Sequence, residues 1–318
     1  VFVVFAASGF AFSSWASRLP DIKRILDLSP GQLGTLLLAT AVGSVIGLPL
    51  SGRVIRAIGT TRTVLFGVTC TALGVSVAAL GVDLFHNPVV VWCATLVAGL
   101  GIGIWDVAMN HEGADVERGL GRAIMPWFHA SFSAATVVSA LVGSAMTALG
   151  VPVWIHLWSV VALVVLAALF GVRRFLPIED APADAEKHAG RTAWLEPRTL
   201  IVGLVVLAAA FTEGTANDWI AIAFTEGHEL PAWLGVLAFA VFLGFMTFGR
   251  IAGTYALDRF GRVPVLRVLF GLAMVGSLLV VFGTPELAFV GAALWGVGAS
   301  LGFPVGMSAA ADDPARAA

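Results

Sequence analysis

The chain has 318 residues, of which 58% are hydrophobic and 12% charged, and its formal net charge is −2. Soluble domains are about 45–50% apolar and about 25% charged, and a fold of roughly 300 residues buries only about 75% of the surface that its unfolded chain exposes. Together with a mean hydropathy of +0.94, this excludes a soluble globule and predicts an integral membrane protein. The balance of charges also offers no basic surface to nucleic acid, so no nucleic-acid partner is expected.

Ten stretches have the length and apolarity that cross a bilayer as an α-helix, which takes about 20 residues. In chain order the predicted spans are residues 1–18, 33–52, 63–82, 88–111, 125–149, 152–171, 200–224, 232–257, 264–283 and 286–308. Strands are excluded for them, because an open sheet edge in lipid leaves backbone groups unpaired. The predicted fold class is all-α, a multi-pass protein embedded in the lipid bilayer.

Basic residues are distributed unequally between the two ends of the predicted spans. Arg18, Lys23 and Arg24 lie on one side, and 15 of the 18 basic residues are assigned to the other. These fifteen are Arg53, Arg56, Arg62, Arg118, Arg122, Arg173, Arg174, Lys187, Arg191, Arg198, Arg250, Arg259, Arg262, Arg267 and Arg316. Because loops rich in Lys and Arg stay in the cytoplasm, we expect a plasma-membrane protein with a cytoplasmic N-terminus.

The polar segment of residues 172–199 has no periodic pattern of apolar residues and is predicted to be a cytoplasmic linker. It separates six spans in residues 1–171 from four in residues 200–318. The two parts resemble each other at an offset near 200 residues, which indicates an internal duplication. The matches are Gly52-x₃-Arg56-x₂-Gly59-x₂-Arg62 with Thr254-x₃-Asp258-x₂-Gly261-Arg262, Trp15 with Trp219, and GLGIGIW in span 4 with GVGASLG in span 10.

The run Asp258-Arg259-Phe260-Gly261-Arg262 between spans 8 and 9 resembles the signature loop of the major facilitator superfamily. The first-half copy departs from it, with Arg56 where the family usually has Asp. The resemblance implies twelve helices in two pseudo-symmetric bundles, so we expect a chain that stops two helices short. It also implies secondary transport by alternating access, and we expect a monomer that needs no cofactor. The family's loop acid faces a helix start in the other half, here span 5 near Met125 and Pro126, where the helix dipole favours a carboxylate.

Glu213 in span 7 is the best candidate for a proton-coupling carboxylate. It lies about 20 Å into the predicted helix, and ionisable groups at that depth cost several kcal/mol unless they are paired or wetted. Asn217 is four residues further on and shares its face, while Asp218 and Trp219 lie nearer the outer rim. The alternative interpretation is a structural carboxyl that bonds to a neighbouring helix.

Asp106 and Asn110 in span 4 form the second candidate group, since residues four apart face the same way on a helix. This stretch is similar to the fucose/galactose–proton symporter branch of the superfamily, where an acid followed by an Asn contributes to the sugar site. That branch also has an Asp in helix 1, and Ala16 stands there. A gating or interhelical role for Asp106 is the alternative.

Aromatic residues and histidines have competing interpretations. Trp15 and Trp219 could form a stacking platform for a sugar-like ring or belong to an interfacial aromatic belt. His129 is a solute-site candidate, or a structural histidine. His156 is predicted to lie in an aromatic belt between Trp154 and Trp158.

An enzyme is not expected. Gly298-Ala-Ser300-Leu-Gly302 spells the nucleophile elbow of hydrolases but lies in an apolar span instead of a strand–turn–helix unit. Neither a Walker A motif nor metal-ligand spacing is present in the sequence. The expected partners are a small solute and protons. The alternative transporter is an efflux antiporter for drugs or metabolites, against which span 5 lacks the Gly-Pro pair of such antiporters.

Overall fold

The computed structural model describes residues 1–121, 124–176 and 197–310, with the backbone alone for 197–199, 254 and 307–310. Over these ranges the chain forms helices α1 (Phe2–Ala16), α2 (Leu19–Ile25), α3 (Pro30–Ile58), α4 (Thr60–Asp83), α5 (Pro88–Leu120), α6 (Met125–Ala148), α7 (Val153–Gly171), α8 (Pro197–Ile222), α9 (Ala232–Phe260), α10 (Arg262–Phe282), α11 (Pro285–Ala299) and α12 (Gly302–Ala310). Most of the predicted linker, together with Arg122, Lys187, Arg191 and Arg316, lies outside the described residues.

Ten helical segments among the described residues are long and apolar enough to cross a membrane, so the all-α prediction of ten spans is confirmed. The first segment, Phe2–Ile25, contains both α1 and α2, and the tenth, Pro285–Gly306, contains α11 and the start of α12. Several helices extend past the apolar runs that predicted them. At the start of α3, for example, a capping box pairs the Ser29 and Gln32 side chains with each other's backbone amides.

Two glycines of the repeated loop each form a one-residue turn between helices. Gly59 joins α3 to α4 with φ 81° and ψ 160°, and Gly261 joins α9 to α10 with φ 78° and ψ 169°. A left-handed φ suits glycine because it has no Cβ. The 202-residue offset between them shows that the matching motifs form the same turn twice.

Close helix contacts at glycine residues repeat as well. A Cβ on Gly101 of α5 would overlap the backbone of Thr71 on α4, and a Cβ on Gly298 of α11 would overlap the backbone of Ala273 on α10. Gly298 on α11 lies 197 residues after Gly101 on α5, and Ala273 on α10 lies 202 residues after Thr71 on α4. The same two offsets relate the contact of Gly74 with Ala98 to that of Gly276 with Trp295. The predicted duplication is therefore visible as packing geometry.

The difference between the two offsets has a simple origin. Helix α4 has 24 residues and α10 has 21. The connection after α4 is residues 84–87, and the one after α10 is residues 283–284. The extra residues all lie at one end of the helix pair, so the glycine contacts keep their register.

The described residues belong to two compact units. The first unit holds Val1–Ile178 with Pro231–Leu237, and the second unit holds Glu179–Leu230 with Ala238–Ala318. A buried cluster around Phe5, Val68, Trp105 and Phe128 forms a core of the first unit. Val265, Leu269, Leu301 and Val305 form a core of the second.

Candidate functional site

An ion pair lies at membrane depth in the second unit. Arg250 Nη2 of α9 is 3.0 Å from Glu213 Oε1 and 3.2 Å from Oε2 of the same carboxylate on α8. The two side chains are 29% and 22% exposed. The carboxylate singled out by its depth in the sequence therefore has a cationic partner on the neighbouring helix in the chain.

Arg250 lies deeper in its span than the charge count implied, since the predicted span 232–257 contains it although it was counted with the basic residues of the cytoplasmic side. It lies ten residues before the end of α9 at Phe260, about 15 Å along the helix, and within the candidate span Ala232–Gly253. Because Arg250 is close in sequence to Arg259, its depth in the span was not recognised from the sequence. The available signal was the apolar run on both sides of it, LAFAVFLGFMTFG before and IAGTYAL after.

The span next to this pair is broken, where a continuous helix over 286–308 was predicted. Helix α11 ends at Ala299 and α12 begins at Gly302. Pro304 has no N–H to donate to the carbonyl of Ser300 four residues earlier, and Arg250 Nε donates to that carbonyl instead, at 3.3 Å. Irregular backbone at membrane depth is tolerated where protein groups satisfy it.

Ser300 itself is fully buried, and its Oγ donates to the carbonyl of Val297 at 2.6 Å. The G-x-S-x-G sequence thus occurs at an interruption between two helices. It does not form the strand–turn–helix geometry that exposes a hydrolase nucleophile.

Asn217, Asp218 and Trp219 follow Glu213 on α8 and do not join its ion pair. Asn217 Oδ1 is buried and has no hydrogen-bond partner among the described residues. Asp218 forms no hydrogen bond or ion pair in that part of the chain either. The two polar side chains are therefore open to a further partner.

In the first unit, Asp106 and Asn110 meet as their spacing predicts. Asn110 Nδ2 donates to the backbone carbonyl of Asp106 at 2.8 Å and lies 3.4 Å from its Oδ1. Both residues are half-buried on α5. The structure confirms that they share a face, and the role of that face stays a proposal.

A buried polar cluster in the first unit was missed. Arg18 is 1% exposed and donates to Asp21 Oδ2 at 2.7 Å, His156 Nδ1 at 3.0 Å, Thr147 Oγ1 at 3.2 Å and the Val151 carbonyl at 2.7 Å. The sequence analysis assigned Arg18 to a loop because its predicted first span ended there. The span instead continues through α2, which brings Arg18 and Asp21 against α6 and α7.

The prediction for His156 was consequently wrong, whereas its tryptophan neighbours do face outwards. His156 is 3% exposed and pairs with Arg18. Trp154 and Trp158 are 39% and 42% exposed, and their rings meet edge to face at 5.8 Å. Residues 154 and 158 share a helix face, and the residue between them points to the opposite one.

The remaining predicted aromatic residues belong to different units. Trp15 is half-buried on α1 in the first unit, and Trp219 is half-buried on α8 in the second. His129 is exposed near the start of α6, where its ring lies edge-on to Phe5 with 5.2 Å between centroids.

The helix start at Met125 has an acid that the sequence analysis did not assign to it. Glu117 Oε2, from the last turn of α5, accepts the N–H groups of Ile124 and Met125, both at 2.7 Å. A carboxylate at a helix N-terminus satisfies unpaired amides and interacts favourably with the helix dipole. Glu117 therefore caps the start of α6 from within the first unit.

The loop-motif residues lie where the repeat predicts. Asp258 and Arg259 are exposed in the last turn of α9, and Arg259 Nη1 donates to the Tyr255 hydroxyl at 3.2 Å. Arg56 is exposed at the corresponding turn of α3. Gly52, Arg62 and Arg262 flank these two turns.

Comparison with known proteins decides the family. The model of the Major Facilitator Superfamily matches residues 1–318. The chain belongs to the Major Facilitator Superfamily.

Relatives by sequence include proteins named as transporters and one named as a resistance protein. The chain is 31% identical to the uncharacterized transporter y4wD of Sinorhizobium fredii over 97% of its own length and 81% of the relative's. It is 28% identical to an uncharacterized MFS-type transporter of Yersinia pestis, over 97% of this chain and 78% of that one. It is 31% identical to the chloramphenicol resistance protein of Streptomyces lividans, over 91% of this chain and 71% of that one.

Solved structures share the fold. A point variant of the nucleoside transporter NupG superposes with a TM-score of 0.78 at 15% identity, over 99% of this chain and 84% of that one. A D-xylose-proton symporter superposes with a TM-score of 0.74 at 12% identity, over 96% and 80%. Membership of the superfamily and the transporters named among its relatives make the protein a multi-pass secondary transporter of a small solute.

Proposed function

We propose that this transporter couples the movement of its solute to protons through Glu213. The solute is a sugar or another small organic compound, and it crosses the plasma membrane by alternating access of the two bundles, with the N-terminus in the cytoplasm. The Glu213–Arg250 ion pair carries the proposal. A carboxylate held at membrane depth by a cation on another helix has two stable states, ionised and paired or protonated and released, and the difference between them moves helices.

Candidate solute contacts lie on α5 and α8. Asp106 and Asn110 present adjacent polar groups, as the similarity to the fucose/galactose–proton branch implies. Asn217 and Asp218 offer hydrogen-bonding groups without a described partner. Trp15, Trp219 and His129 are proposed as further solute contacts.

The repeated loops are proposed to act in gating. The turns at Gly59 and Gly261 each join two neighbouring helices through a single residue. Since Arg56 replaces the usual acid in the first loop and Glu117 occupies the start of α6, the two halves use different contacts at corresponding places.

The deciding experiment uses the full-length protein in proteoliposomes that contain a pH-sensitive dye. Sugars, sugar acids and small organic acids are added in turn. One of them is expected to drive proton entry, and Glu213→Gln is expected to abolish that entry. The control is Glu286→Gln, an exposed carboxylate at the start of α11, which should leave proton entry intact. Coupled proton entry that persists in Glu213→Gln would exclude this residue as the proton site.

Efflux by antiport is the second candidate, and one observation favours it: a relative at 31% identity is named a chloramphenicol resistance protein. If the protein is an exporter, none of the solutes added in the uptake experiment should drive proton entry. It would instead lower the accumulation of a drug such as chloramphenicol in cells that express it, in a way that depends on the proton gradient.

A further inference from the structure

We propose that a groove between α9 and α10 binds an anionic phospholipid of the cytoplasmic leaflet, with an acyl chain in the groove and the phosphate on Arg259 and Arg267. The proposal goes beyond the proposed function, since it requires neither Glu213 nor a particular solute. It follows from the apolar lining of the groove, from the arginines beside it and from the depth of one of them. The bias of basic residues places this end of the helices at the cytoplasmic leaflet.

The groove lies where α9 and α10 meet at the Gly261 turn. Its volume is about 400 Å³, within the range of about 300–1,000 Å³ that ligand pockets have. The side chains along it are all apolar: Ala256, Phe260, Pro264, Val265, Val268 and Leu269. Val265 and Leu269 are buried and form the floor, while Phe260 and Val268 are 61% and 63% exposed and form the sides. This lining suits a hydrocarbon chain and gives a polar ligand no side-chain hydrogen bond.

Positive charge lies beside the groove. The charged residues around the turn are three arginines and one acid, namely Arg259, Arg262, Arg267 and Asp258. Arg259 Cζ is 5.5 Å from the centroid of the Phe260 ring, so this guanidinium lies over one side of the groove. Its described hydrogen-bond partner is the neutral hydroxyl of Tyr255, at 3.2 Å. Because a guanidinium has five N–H donors in a planar fork, Arg259 can also bind a phosphate.

The depth of Arg267 is the second observation that points to a lipid. Arg267 lies five residues after the start of α10, about 7.5 Å along the helix. It is exposed, and it forms no hydrogen bond or ion pair with the described part of the chain. Charged side chains within a span usually face the protein interior and pair there. An exposed arginine near a helix end instead extends to the headgroup region, where lipid phosphates lie.

The position of Arg267 on α10 also places it at the edge of the groove. It is three residues after Pro264 and adjacent to Val268, and both of these line the groove. Residues three apart on a helix are neighbours on its surface. A phosphate held by Arg267 would therefore lie at the mouth of the groove that takes the acyl chain.

The two arginines belong to this groove and not to the repeated turn. At the 202-residue offset between the turns, Arg259 corresponds to Ala57 and Arg267 to Leu65. The first half thus has a small and an apolar side chain where the second half has two positive charges. The duplication preserved the turn, and the second half acquired the charges separately.

An anionic headgroup fits these charges better than a zwitterionic one. The choline of phosphatidylcholine brings a positive charge to the place where two guanidinium groups already lie, whereas phosphatidylglycerol brings a net negative charge. Basic pockets between membrane helices on the cytoplasmic side bind anionic headgroups for this reason.

Thermal unfolding of the full-length protein in detergent tests the headgroup. Phosphatidylglycerol and phosphatidylcholine with identical acyl chains are titrated, and the dependence of Tm on lipid concentration gives the affinity for each. Phosphatidylglycerol is expected to bind more tightly. Arg259→Gln and Arg267→Gln should each weaken its binding by about five-fold and leave that of phosphatidylcholine unchanged. Arg53→Gln, an exposed arginine on α3, is the matched control and should retain the full affinity.

Two results would overturn the proposal. One is equal affinity for the two lipids in the unchanged protein. The other is a preference for phosphatidylglycerol that survives in the double variant Arg259→Gln/Arg267→Gln.

The same titration tests the acyl chain in the groove. Val268→Trp fills the groove without changing its charge and should weaken the binding of phosphatidylglycerol at least as much as the loss of one arginine. Val281→Trp is the matched control, because Val281 is also 63% exposed on α10 but lies near its other end. Glycerol 3-phosphate, a phosphate without acyl chains, should not raise Tm. Unchanged affinity in Val268→Trp, or a rise with glycerol 3-phosphate equal to that with the lipid, would overturn the proposal.

Discussion

At the scale of single residues, burial decides what an arginine does. Arg18 and Arg24 both contact Asp21, at 2.7 and 3.2 Å, but Arg18 is buried and the side chain of Arg24 is 71% exposed. The Arg18–Asp21 bond replaces the hydrogen bonds to water that these two buried groups lose on folding. The Arg24–Asp21 bond competes with water and contributes little to the free energy of folding.

Replacing these two arginines should therefore give very different losses. Arg18→Met leaves Asp21 buried with a missing partner and should destabilise the protein by about 3–5 kcal/mol. Arg24→Met should cost less than about 1 kcal/mol. Thermal unfolding of the purified protein in detergent measures both, and equal shifts in Tm would contradict the assignment of Arg18 as a structural residue.

The sequence predicted some site residues and concealed others for physical reasons. Glu213 was found because a carboxylate within an apolar run has few explanations, and Asp106 with Asn110 because helical spacing is a local property. Arg250 and Arg18 were misplaced because a basic residue near a span end is usually a loop residue. Their partners, Glu213 and Asp21, are identified only by contacts that the fold creates.

At the scale of helices, glycine is the residue on which close packing depends. In a membrane the lipid is as apolar as the side chains, so helices associate through close contact at small residues. Gly101 and Gly119 lie on the same helix, α5, but a Cβ on Gly101 would overlap the α4 backbone, whereas one on Gly119 would meet nothing within 4 Å.

This pair gives a matched test of packing. Gly101→Ala should lower stability by about 1–3 kcal/mol, because α4 and α5 must separate. Gly119→Ala should be neutral or slightly stabilising, since Ala favours a helix over Gly by up to about 1 kcal/mol. The Tm of each purified variant is the measurement, and a neutral Gly101→Ala would mean that the helix pair can relax.

The break between α11 and α12 shows where pattern reasoning fails at this scale. Apolar composition predicts a span but does not show that the helix is continuous. Pro304 was a visible signal, because it removes one helical donor. The interruption persists at Ser300 because Arg250 acts as the substitute donor. Arg250 lies on a helix about 50 residues away in the chain, so the local pattern could not show this bond.

At the scale of the whole molecule, the charge bias still predicts the orientation after correction. Removing Arg250 and Arg18 from the loop counts leaves fourteen basic residues on the proposed cytoplasmic side and two on the other. Ile58 at the end of α3 and Leu84 after α4 are both exposed and mark opposite ends of α4. They are suitable reporters of the two sides.

Cysteine labelling tests that orientation. In a background in which Cys70 and Cys93 are replaced by Ala, Leu84→Cys should react with a membrane-impermeant maleimide in intact cells. Ile58→Cys should react only after the cells are permeabilised. The reverse pattern would place the N-terminus outside and contradict the charge rule for this protein.

The sequence by itself determined that the chain is a multi-pass membrane protein with ten candidate spans in the part that the structure describes, that its halves are duplicated, and which motif joins the helices. These follow from composition, periodicity and turn glycines, which are local and repeat along the chain. Only the tertiary structure decided which charges pair, because each pairing at membrane depth joins residues from helices distant in sequence. The two arginines demonstrate this: their local patterns indicated loops, and their contacts made one a structural centre and the other the partner of the candidate proton site.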